Sequence, residues 1–359
     1  MKFKKFYQSF QSLLESCPEQ ILDPSERYVI FSDLHLGNGG PHDDLEPNRS
    51  LVEGVLKQYY LQNRYHLILN GDVEDLNKFK LSEVTAAWPS LYSTFNSFAQ
   101  MGRFWKIVGN HDLYLLREKK YPYPLYHGLV LKKEDQRLFI FHGHQASALF
   151  NEFDYISEFL VRFLAKPLRI RNSSVSKNSK HRFATERNIY RAARKMGIVA
   201  ITGHTHRPLF ESLSKYDSLR WSIEELLREY AIADSTERLR IAGLVDLYRA
   251  ELERIAKKKN RRRVSKSLYD EGPLLVPCLF NSGCATGKHG MTAIEIDRGN
   301  ISLVHWATEG SSRPYIEKEA QFKDSIDGGF SRYTLHSEYL DQIFVRLSLL
   351  LHHETENSR

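Results

Sequence analysis

Five short segments of the sequence place metal-binding side chains directly after a hydrophobic run. They are Asp33-Leu34-His35, Gly71-Asp72-Val73-Glu74-Asp75, Gly109-Asn110-His111-Asp112, His142-Gly143-His144 and Gly203-His204-Thr205-His206. The preceding runs predict strands at residues 28–31, 66–69, 104–108, 138–141 and 198–201. Ligand sites of open α/β sheets lie beyond the carboxyl ends of the strands. We therefore predict that all five segments meet at one edge of one sheet.

The types of donor atom narrow the chemistry of such a site. Carboxylate, amide and imidazole ligands suit manganese, iron or zinc. One ion with an open position needs about three protein ligands, so a larger set suits two ions that share one carboxylate. Two ions about 3.5–4 Å apart can hold both the nucleophile and the substrate oxygens during displacement at phosphorus. The candidate ligands are Asp33, His35, Asp72, Asn110, His142, His204 and His206.

In this order, the segments resemble the motif series of the calcineurin-like metallophosphoesterases: D-x-H, GD-x-x-D, GNH-[DE], HGH and GH-x-H. The resemblance covers residues 27–306 and is interrupted by a long insert. It implies an α/β fold, a two-sheet αββα sandwich with helical insertions. It also implies a metal-dependent phosphoesterase, acting as a phosphomonoesterase, a phosphodiesterase or a pyrophosphohydrolase.

The resemblance assigns roles to individual positions. It implies that Asp33, His35 and His206 bind a first metal ion and that Asn110, His142 and His204 bind a second. Asp72 resembles the carboxylate that bridges the two ions, and the implied nucleophile is a hydroxide held between them. The expected cofactors are two divalent ions, with manganese preferred and iron or zinc as alternatives.

Four further residues of the motifs need separate assignments. By resemblance, His111 stabilises charge beside the phosphate or protonates the leaving oxygen, and Asp75 orients its ring. We interpret Asp112 as a helix-capping residue, with orientation of His111 as the alternative. We expect His144 to support the site or contact substrate rather than to bind metal directly.

The rest of the chain divides around these motifs. Residues 1–25 predict a leading amphipathic helix that packs on the core, with a basic membrane anchor as the alternative. Residues 26–310 form the predicted catalytic domain, which includes a helical cap at 146–196 and a helical insert at 211–275. Strands at 274–280, 291–296 and 301–306 are expected to complete a second sheet. The 311–359 segment is predicted to be a tail with an amphipathic helix that packs on this domain or forms an oligomer with a second copy.

The predicted cap carries an apolar stripe from Phe150 to Leu164, followed by Arg169, Arg171 and Lys180. An apolar surface next to a cationic one suits the binding of an amphiphilic or nucleotide-linked phosphate. The arrangement resembles the cap of the UDP-diacylglucosamine pyrophosphohydrolases, although that branch has Arg where this chain has His111 and lacks the 211–275 insert. The alternative is a helix that packs on the sheet and shields the site.

A basic run, Lys257-Lys258-Lys259-Asn260-Arg261-Arg262-Arg263, ends the second helix of the insert. It is typical of a solvated helix end, but it also suits contact with nucleic acid or acidic lipid. A nuclease, or a phosphodiesterase of nucleic acid, is therefore the alternative function. A non-catalytic scaffold is a third hypothesis, which the intact ligand set with His111 disfavours.

The composition is consistent with an enzyme of anionic substrates. The chain has 359 residues and a formal net charge of +7, with a pI near 9.1. A basic surface favours phosphate esters, nucleic acid or an acidic membrane as partners. The three cysteines follow no disulfide pattern, which favours a reducing compartment. Because no long apolar run is present, we predict a cytoplasmic protein, with peripheral membrane contact as the alternative.

Overall fold

The computed structural model describes residues 3–146, 179–257, 268 and 274–356. These residues form two β-sheets that pack against each other through a shared apolar core, with helices on the outside. This is the two-sheet α/β sandwich that the sequence predicted.

Fifteen strands build the two sheets within these ranges. Their bounds are β1 Glu19–Ile21, β2 Arg27–Phe31, β3 His66–Asn70, β4 Phe104–Ile107, β5 Leu125–Tyr126, β6 Leu129–Lys133, β7 Gln136–Ile140, β8 Val199–Thr202, β9 Leu209–Phe210, β10 Leu213–Ser214, β11 Leu279–Asn281, β12 Met291–Asp297, β13 Asn300–Thr308, β14 Phe322–Ile326 and β15 Phe330–Tyr339. One sheet has the order β14-β15-β13-β12-β2-β3-β4-β5, and the other has the order β1-β6-β7-β8-β11-β9-β10.

The α-helices of the described ranges lie before, between and after these strands. Their bounds are α1 Phe3–Ser16, α2 Arg49–Val55, α3 Leu81–Ala87, α4 Pro89–Gln100, α5 Ser179–Met196, α6 Lys215–Ile232, α7 Ser235–Lys257, α8 Pro314–Glu319 and α9 Leu340–Glu356. A π-helix at Leu56–Leu61 continues α2. Short 3₁₀ helices occur at Glu46–Asn48, Leu113–Arg117 and His144–Ala146.

The motif strands are divided between the two sheets, so the prediction of a single sheet edge is wrong. Strands β2, β3 and β4 run parallel in the eight-stranded sheet, whereas β7 and β8 run parallel in the seven-stranded sheet. The later strands are divided in the same way, because β11 pairs with β8 while β12 pairs with β2. Hydrophobic periodicity predicts that a segment forms a strand, but it does not specify which other strand pairs with it.

Strand β2 shows how the core is built. Tyr28 and Ile30 belong to the apolar cluster between the sheets. Val29 and Phe31 belong to a second cluster, which includes buried residues of α2 and α4. Because side chains alternate across a strand, a strand covered on both faces reads as a continuous hydrophobic run.

The first helix, α1, packs on the same apolar cluster as the strands of the seven-stranded sheet. Phe6, Phe10 and Leu14 are buried there. The ring centroid of Phe10 lies 5.5 Å from that of Phe139 and 5.4 Å from that of Phe141, in edge-to-face geometry. The apolar face of α1 is thus covered by the strand that leads into the His142 motif.

The segment predicted as a tail contributes to the fold more than the sequence indicated. Strands β14 and β15 form a hairpin that extends the eight-stranded sheet through β13. The hairpin turns at Gly328 and Gly329. Because β14 is mostly exposed, the sequence of this strand lacks the hydrophobic run by which strands were predicted. Helix α9 buries Leu340, Ile343, Phe344 and Leu347 in the core of the same chain.

Several predicted features lie outside the described residues, namely the apolar stripe from Phe150 to Leu164, the cations Arg169 and Arg171, and residues 258–263 of the basic run. The helices predicted within the insert are present as α6 and α7. Across the ranges that the structure describes, no helix is both long enough and apolar enough to span a membrane.

The packing of α1 predicts the effect of shortening one side chain. Phe10→Ala should lower the free energy of unfolding by about 3–5 kcal/mol, because it removes a buried ring and leaves a cavity. Urea denaturation measures this change. Gln11→Ala, at an exposed position of the same helix, is the control and should change stability by less than about 0.5 kcal/mol. Equal stability of the two variants would contradict the packing of α1.

Candidate metal centre

Five loops meet where the carboxyl ends of the motif strands of one sheet lie close to those of the other sheet. Asp33, Asp72 and Asn110 follow β2, β3 and β4 of the eight-stranded sheet, and His142 and His204 follow β7 and β8 of the seven-stranded sheet. The predicted ligands are therefore brought together by the packing of two sheets rather than by one sheet edge.

The backbone of these loops is strained at the predicted ligands. Five of them have left-handed conformations, which residues other than glycine seldom adopt. Each costs on the order of 1–3 kcal/mol and persists only where the surrounding structure enforces it. The φ angles are 55° at Asp33, 52° at His35, 51° at Asp72, 65° at His204 and 54° at His206.

Two motif glycines allow the loops to approach closely. Gly71 has a φ of +81°, and a Cβ atom there would lie 2.5 Å from the ring of His142. A Cβ atom on Gly109 would lie 2.2 Å from Oδ1 of Asp72. Both contacts are too short for any larger residue, so these positions of the GD and GN motifs require glycine.

A first cluster consists of Asp33, His35 and His206. Their ligand atoms all lie within 4.8 Å of one another. Nε2 of His206 is 3.0 Å from Oδ1 of Asp33 and 3.1 Å from Nε2 of His35. These three residues are the set predicted for the first metal ion.

A second cluster consists of Asp72, His142 and His204, whose ligand atoms also lie within 4.8 Å of one another. Nε2 of His142 is 3.2 Å from Oδ2 of Asp72. The same carboxylate oxygen is 4.0 Å from Nε2 of His35 in the first cluster. Asp72 thus lies between the clusters, as a bridging carboxylate requires.

The buried side chains of the two clusters have pKa values shifted away from their usual range. Burial lowers the pKa of His204 to about 3, with His142 adding to the effect, and burial followed by His206 lowers the pKa of His35 to about 4. Burial opposes ionisation of Asp33, but His206 and His142 outweigh it and bring its pKa to about 2. Burial opposes protonation of His142 and His206, but Asp72 raises the pKa of His142 to about 9 and Asp33 raises that of His206. Metal ligands need neutral imidazoles, so ion binding would displace the protons of these two rings.

Two buried donor atoms indicate that the residues present fit metal ions. Oδ1 of Asn110 and Nε2 of His204 are inaccessible to solvent and have no hydrogen-bond partner among the described residues. Buried polar atoms without partners are rare in folded proteins, and an ion is one of the few groups that would satisfy them. Both atoms belong to the set predicted for the second ion.

His111 lies beside the clusters with its ring held by Asp75. Nδ1 of His111 is 2.8 Å from Oδ1 of Asp75, whose other oxygen is 2.8 Å from Nζ of Lys78. Nε2 of His111 is 4.0 Å from Oδ2 of Asp72. Burial opposes protonation of His111, but Asp72 and Asp75 outweigh it and raise its pKa. The placement agrees with the predicted pairing of His111 and Asp75.

The interpretation of Asp112 as a capping residue is wrong. Asp112 precedes the 3₁₀ helix Leu113–Arg117, but its side chain caps no N–H of that helix. Its carboxylate accepts hydrogen bonds from the backbone N–H groups of Gly109 and Val73 and from Nζ of Lys106. Asp112 therefore fastens the loop after β4 to the loop after β3.

Lys106 connects this carboxylate to a buried network that the sequence analysis did not find. Its ammonium group is fully buried and lies 3.0 Å from Oε2 of Glu74. Oε1 of Glu74 accepts hydrogen bonds from the hydroxyls of Tyr92 and Tyr121, at 2.9 and 2.8 Å. The only signal in the sequence was a lysine within the apolar run of β4.

A second support holds the loop of His204 and His206. Oε1 of Glu186 in α5 accepts hydrogen bonds from Oγ1 of Thr205, at 2.9 Å, and from Nε of Arg207, at 3.1 Å. Glu186 lies beyond the motifs, and no spacing in the sequence linked it to them.

His144 is buried beside the second cluster without belonging to it. Its ring centroid is 5.5 Å from that of His142 and 6.3 Å from that of His204. Burial, then His142 and His204, lower its pKa well below the usual value. This position is consistent with the expected supporting role.

The buried network predicts the effect of removing one charge. Asp112→Asn should lower the free energy of unfolding by about 3–5 kcal/mol, because the buried ammonium of Lys106 loses an ionic partner. It should also lower metal content, since the two loops lose their shared acceptor. Urea denaturation and elemental analysis measure these changes, and Asp135→Asn at an exposed turn is the control. Unchanged stability and metal content would contradict this role.

Comparison with known proteins identifies the family. The sequence model of the calcineurin-like phosphoesterases matches residues 26–208, slightly more than half of the chain. The search of curated protein sequences found no match to this chain. Among solved structures, the chain is similar to Yfce, a phosphoesterase from E. coli, with 14% identity, coverage of 77% of this chain and 91% of that chain, and a TM-score of 0.32. It is also similar to a single mutant of Vps29 from Entamoeba histolytica, with 12% identity, coverage of 80% and 94%, and a TM-score of 0.33.

The matched residues contain all five motifs and the loops that form both clusters. The family match implies metal-dependent hydrolysis of phosphoesters, and the buried carboxylate, amide and imidazole groups fit such an activity. The chain belongs to the calcineurin-like phosphoesterase family.

Proposed function

We propose that this protein hydrolyses a phosphoester with two divalent metal ions, one held by each cluster and both by Asp72. The observation that carries the proposal is the position of Asp72, whose Oδ2 lies 3.2 Å from Nε2 of His142 and 4.0 Å from Nε2 of His35. A carboxylate between two clusters of imidazoles suits a pair of ions better than a single ion. Manganese is the proposed metal, with iron or zinc as alternatives.

The bound ions would supply Lewis acidity toward the phosphoryl oxygens and a water molecule of lowered pKa. The protein's own residues complete the reaction. Water loses a proton to solvent, and the resulting hydroxide forms a new bond to phosphorus as the bond from phosphorus to the leaving oxygen breaks, with its electron pair staying on that oxygen. His111 donates a proton from Nε2 to the leaving oxygen, while Asp75 holds Nδ1 and stabilises the protonated ring.

The arrangement around His111 favours an enzyme over a non-catalytic scaffold. Asp75 is itself held by Lys78, so the ring of His111 is fixed by two successive interactions. The side chain of His111 is nevertheless 14% exposed, in contrast to the fully buried side chain of His142. A scaffold has no need for an oriented, accessible imidazole beside metal ligands.

The substrate is proposed to be an amphiphilic or nucleotide-linked phosphate. The relation to the UDP-diacylglucosamine pyrophosphohydrolases stays a prediction. The nuclease alternative, like contact with an acidic membrane, rests on the net charge of +7 and on the basic run. Most of that run lies outside the described residues, so both also stay predictions.

The shared carboxylate gives the first test of this proposal. Asp72→Ala should lose both metal ions, because each cluster loses the same ligand. Elemental analysis of the purified variant measures the loss, with circular dichroism to verify folding and Asp135→Ala as the control. Two ions per chain in folded Asp72→Ala would overturn the bridging assignment.

His111 gives the second test. His111→Ala should keep its metal but lose about a hundredfold or more in kcat for a phosphodiester with a poor leaving group, because that oxygen then departs without a proton. Asp75→Asn, which keeps the imidazole, should lose less. His42→Ala, at an exposed position that belongs to neither cluster, is the control. Wild-type turnover of the poor leaving group by His111→Ala would remove His111 from the mechanism.

A further inference from the structure

A groove of about 840 Å³ adjoins the metal centre. His206 of the first cluster and Cys284 line it, and the side chains of these two residues are hydrogen-bonded to each other. The groove is therefore continuous with the position of a bound phosphoester. Its volume is within the range of sites that hold small organic ligands.

The helical insert forms one wall of this groove. Lys215, Ser218, Trp221 and Glu225 of α6 line it, as does Arg254 of α7. Residues 287–290, together with parts of α8, β13 and β15, also line the groove. The groove thus depends on segments outside the residues that match the family.

Cationic side chains concentrate at one end of the groove. Lys215, Arg254 and Arg313 share the buried carboxylate of Glu251, which lies 2.5 Å from Nε of Arg254 and 3.6 Å from Nη1 of Arg313. Three cations thus surround one anion. Lys288 lines the same groove, is exposed, and has no ion-pair partner among the residues that the structure describes.

The acidic side chains of the groove are mostly paired. Glu211 and Glu338 both contact Arg346. Glu225 also lines the groove, from an exposed position on α6. The charges around Glu251 and Lys288 therefore dominate their part of the groove and favour an anionic ligand.

A chain of contacts connects this cationic end to the metal centre. The segment that starts at Cys284 beside His206 continues to His289, whose carbonyl oxygen lies 3.0 Å from Nε2 of His305. Lys215 and Arg313 are close enough to His305 that both help to lower its pKa, which burial brings to about 4. The groove thus runs from the metal ligands past a neutral imidazole to the cations.

Aromatic surface lies along the same groove. Trp221 is 51% exposed. Tyr315 lies beneath the ammonium group of Lys215, 3.4 Å from the ring centroid. A half-exposed indole in a groove with cations suits a ligand that combines a planar ring with an anionic group.

We infer that the groove binds the leaving group of the substrate and that this leaving group is a nucleotide. Its base packs on Trp221, and its phosphate faces Lys288 and the cations around Glu251. The inference rests on the proposed function, because the scissile phosphoryl group occupies the metal centre beside His206. It also gives the 211–275 insert a role in substrate selection.

Binding to the full-length chain, measured by isothermal titration calorimetry with manganese present, tests the inference. The probes are α,β-methylene-ADP, whose bridging carbon resists hydrolysis and whose terminal phosphonate can occupy the metal centre while the inner one faces the cations, with adenosine and methylenediphosphonate as its two fragments. The nucleotide analogue should bind at least about tenfold more tightly than either fragment, because only it reaches both the ring and the cations. Similar affinity for the analogue and methylenediphosphonate would overturn the inference, as would tighter binding of dodecylphosphonate, which would indicate a lipid site.

Three variants locate the contacts. Lys288→Met should weaken binding of the nucleotide analogue about threefold or more without affecting adenosine, and Trp221→Ala should weaken both. Lys57→Met, exposed and outside the groove, is the matched control. Unaltered affinities in both groove variants would overturn the inference. Hydrolysis of bis(p-nitrophenyl) phosphate by the unaltered chain reports separately on the proposed function, so failure of the groove inference can be distinguished from failure of the proposed function.

Discussion

The two sheets pack so that the carboxyl ends of their motif strands lie close together, and the rest of the site depends on this constraint. The loops after β2, β3 and β4 supply two carboxylates, an amide and the imidazole of His35, whereas those after β7 and β8 supply three imidazoles. Neither sheet alone provides a complete ligand set. The contact between Gly71 and the ring of His142 shows how little space separates them. Any residue that pushed the sheets apart would therefore separate the ligands of both clusters.

Holding these loops together opposes both backbone and electrostatic preferences. Five ligand residues have left-handed backbone conformations, and several carboxylates and imidazoles are buried. The scaffold compensates with hydrogen bonds placed beneath the site. Asp112, paired with Lys106, joins two loops of one sheet, and Glu186 supports the His204 loop of the other. Such pre-organised support keeps ligands in position before an ion binds.

The segments outside the motifs have two different relations to this core. Helices α1 and α9 cover it, since Phe10 and Phe344 are buried in the same cluster as the strands. The insert helices α6 and α7 instead form the wall of an open groove beside His206. The first pair stabilises the sandwich, whereas the second extends the site beyond the metal ligands. A difference in substrate between members of one family would arise in segments of the second kind.

The sequence by itself determined the family and the strands before the motifs, and it predicted the types of ligand. Apolar runs ending in Asp, Asn and His are local patterns, and the five motifs are specific as a series. Only the tertiary structure decided that the ligands come from two sheets, because a strand's sequence does not encode its partner. It also decided the roles of Asp112 and Glu186, which contact loops distant in sequence. The role of Lys106 was likewise visible only in the structure, because this residue lies within an apolar run. The groove likewise became visible only when the insert, the loop after β11 and the C-terminal hairpin came together, since each alone resembles ordinary surface.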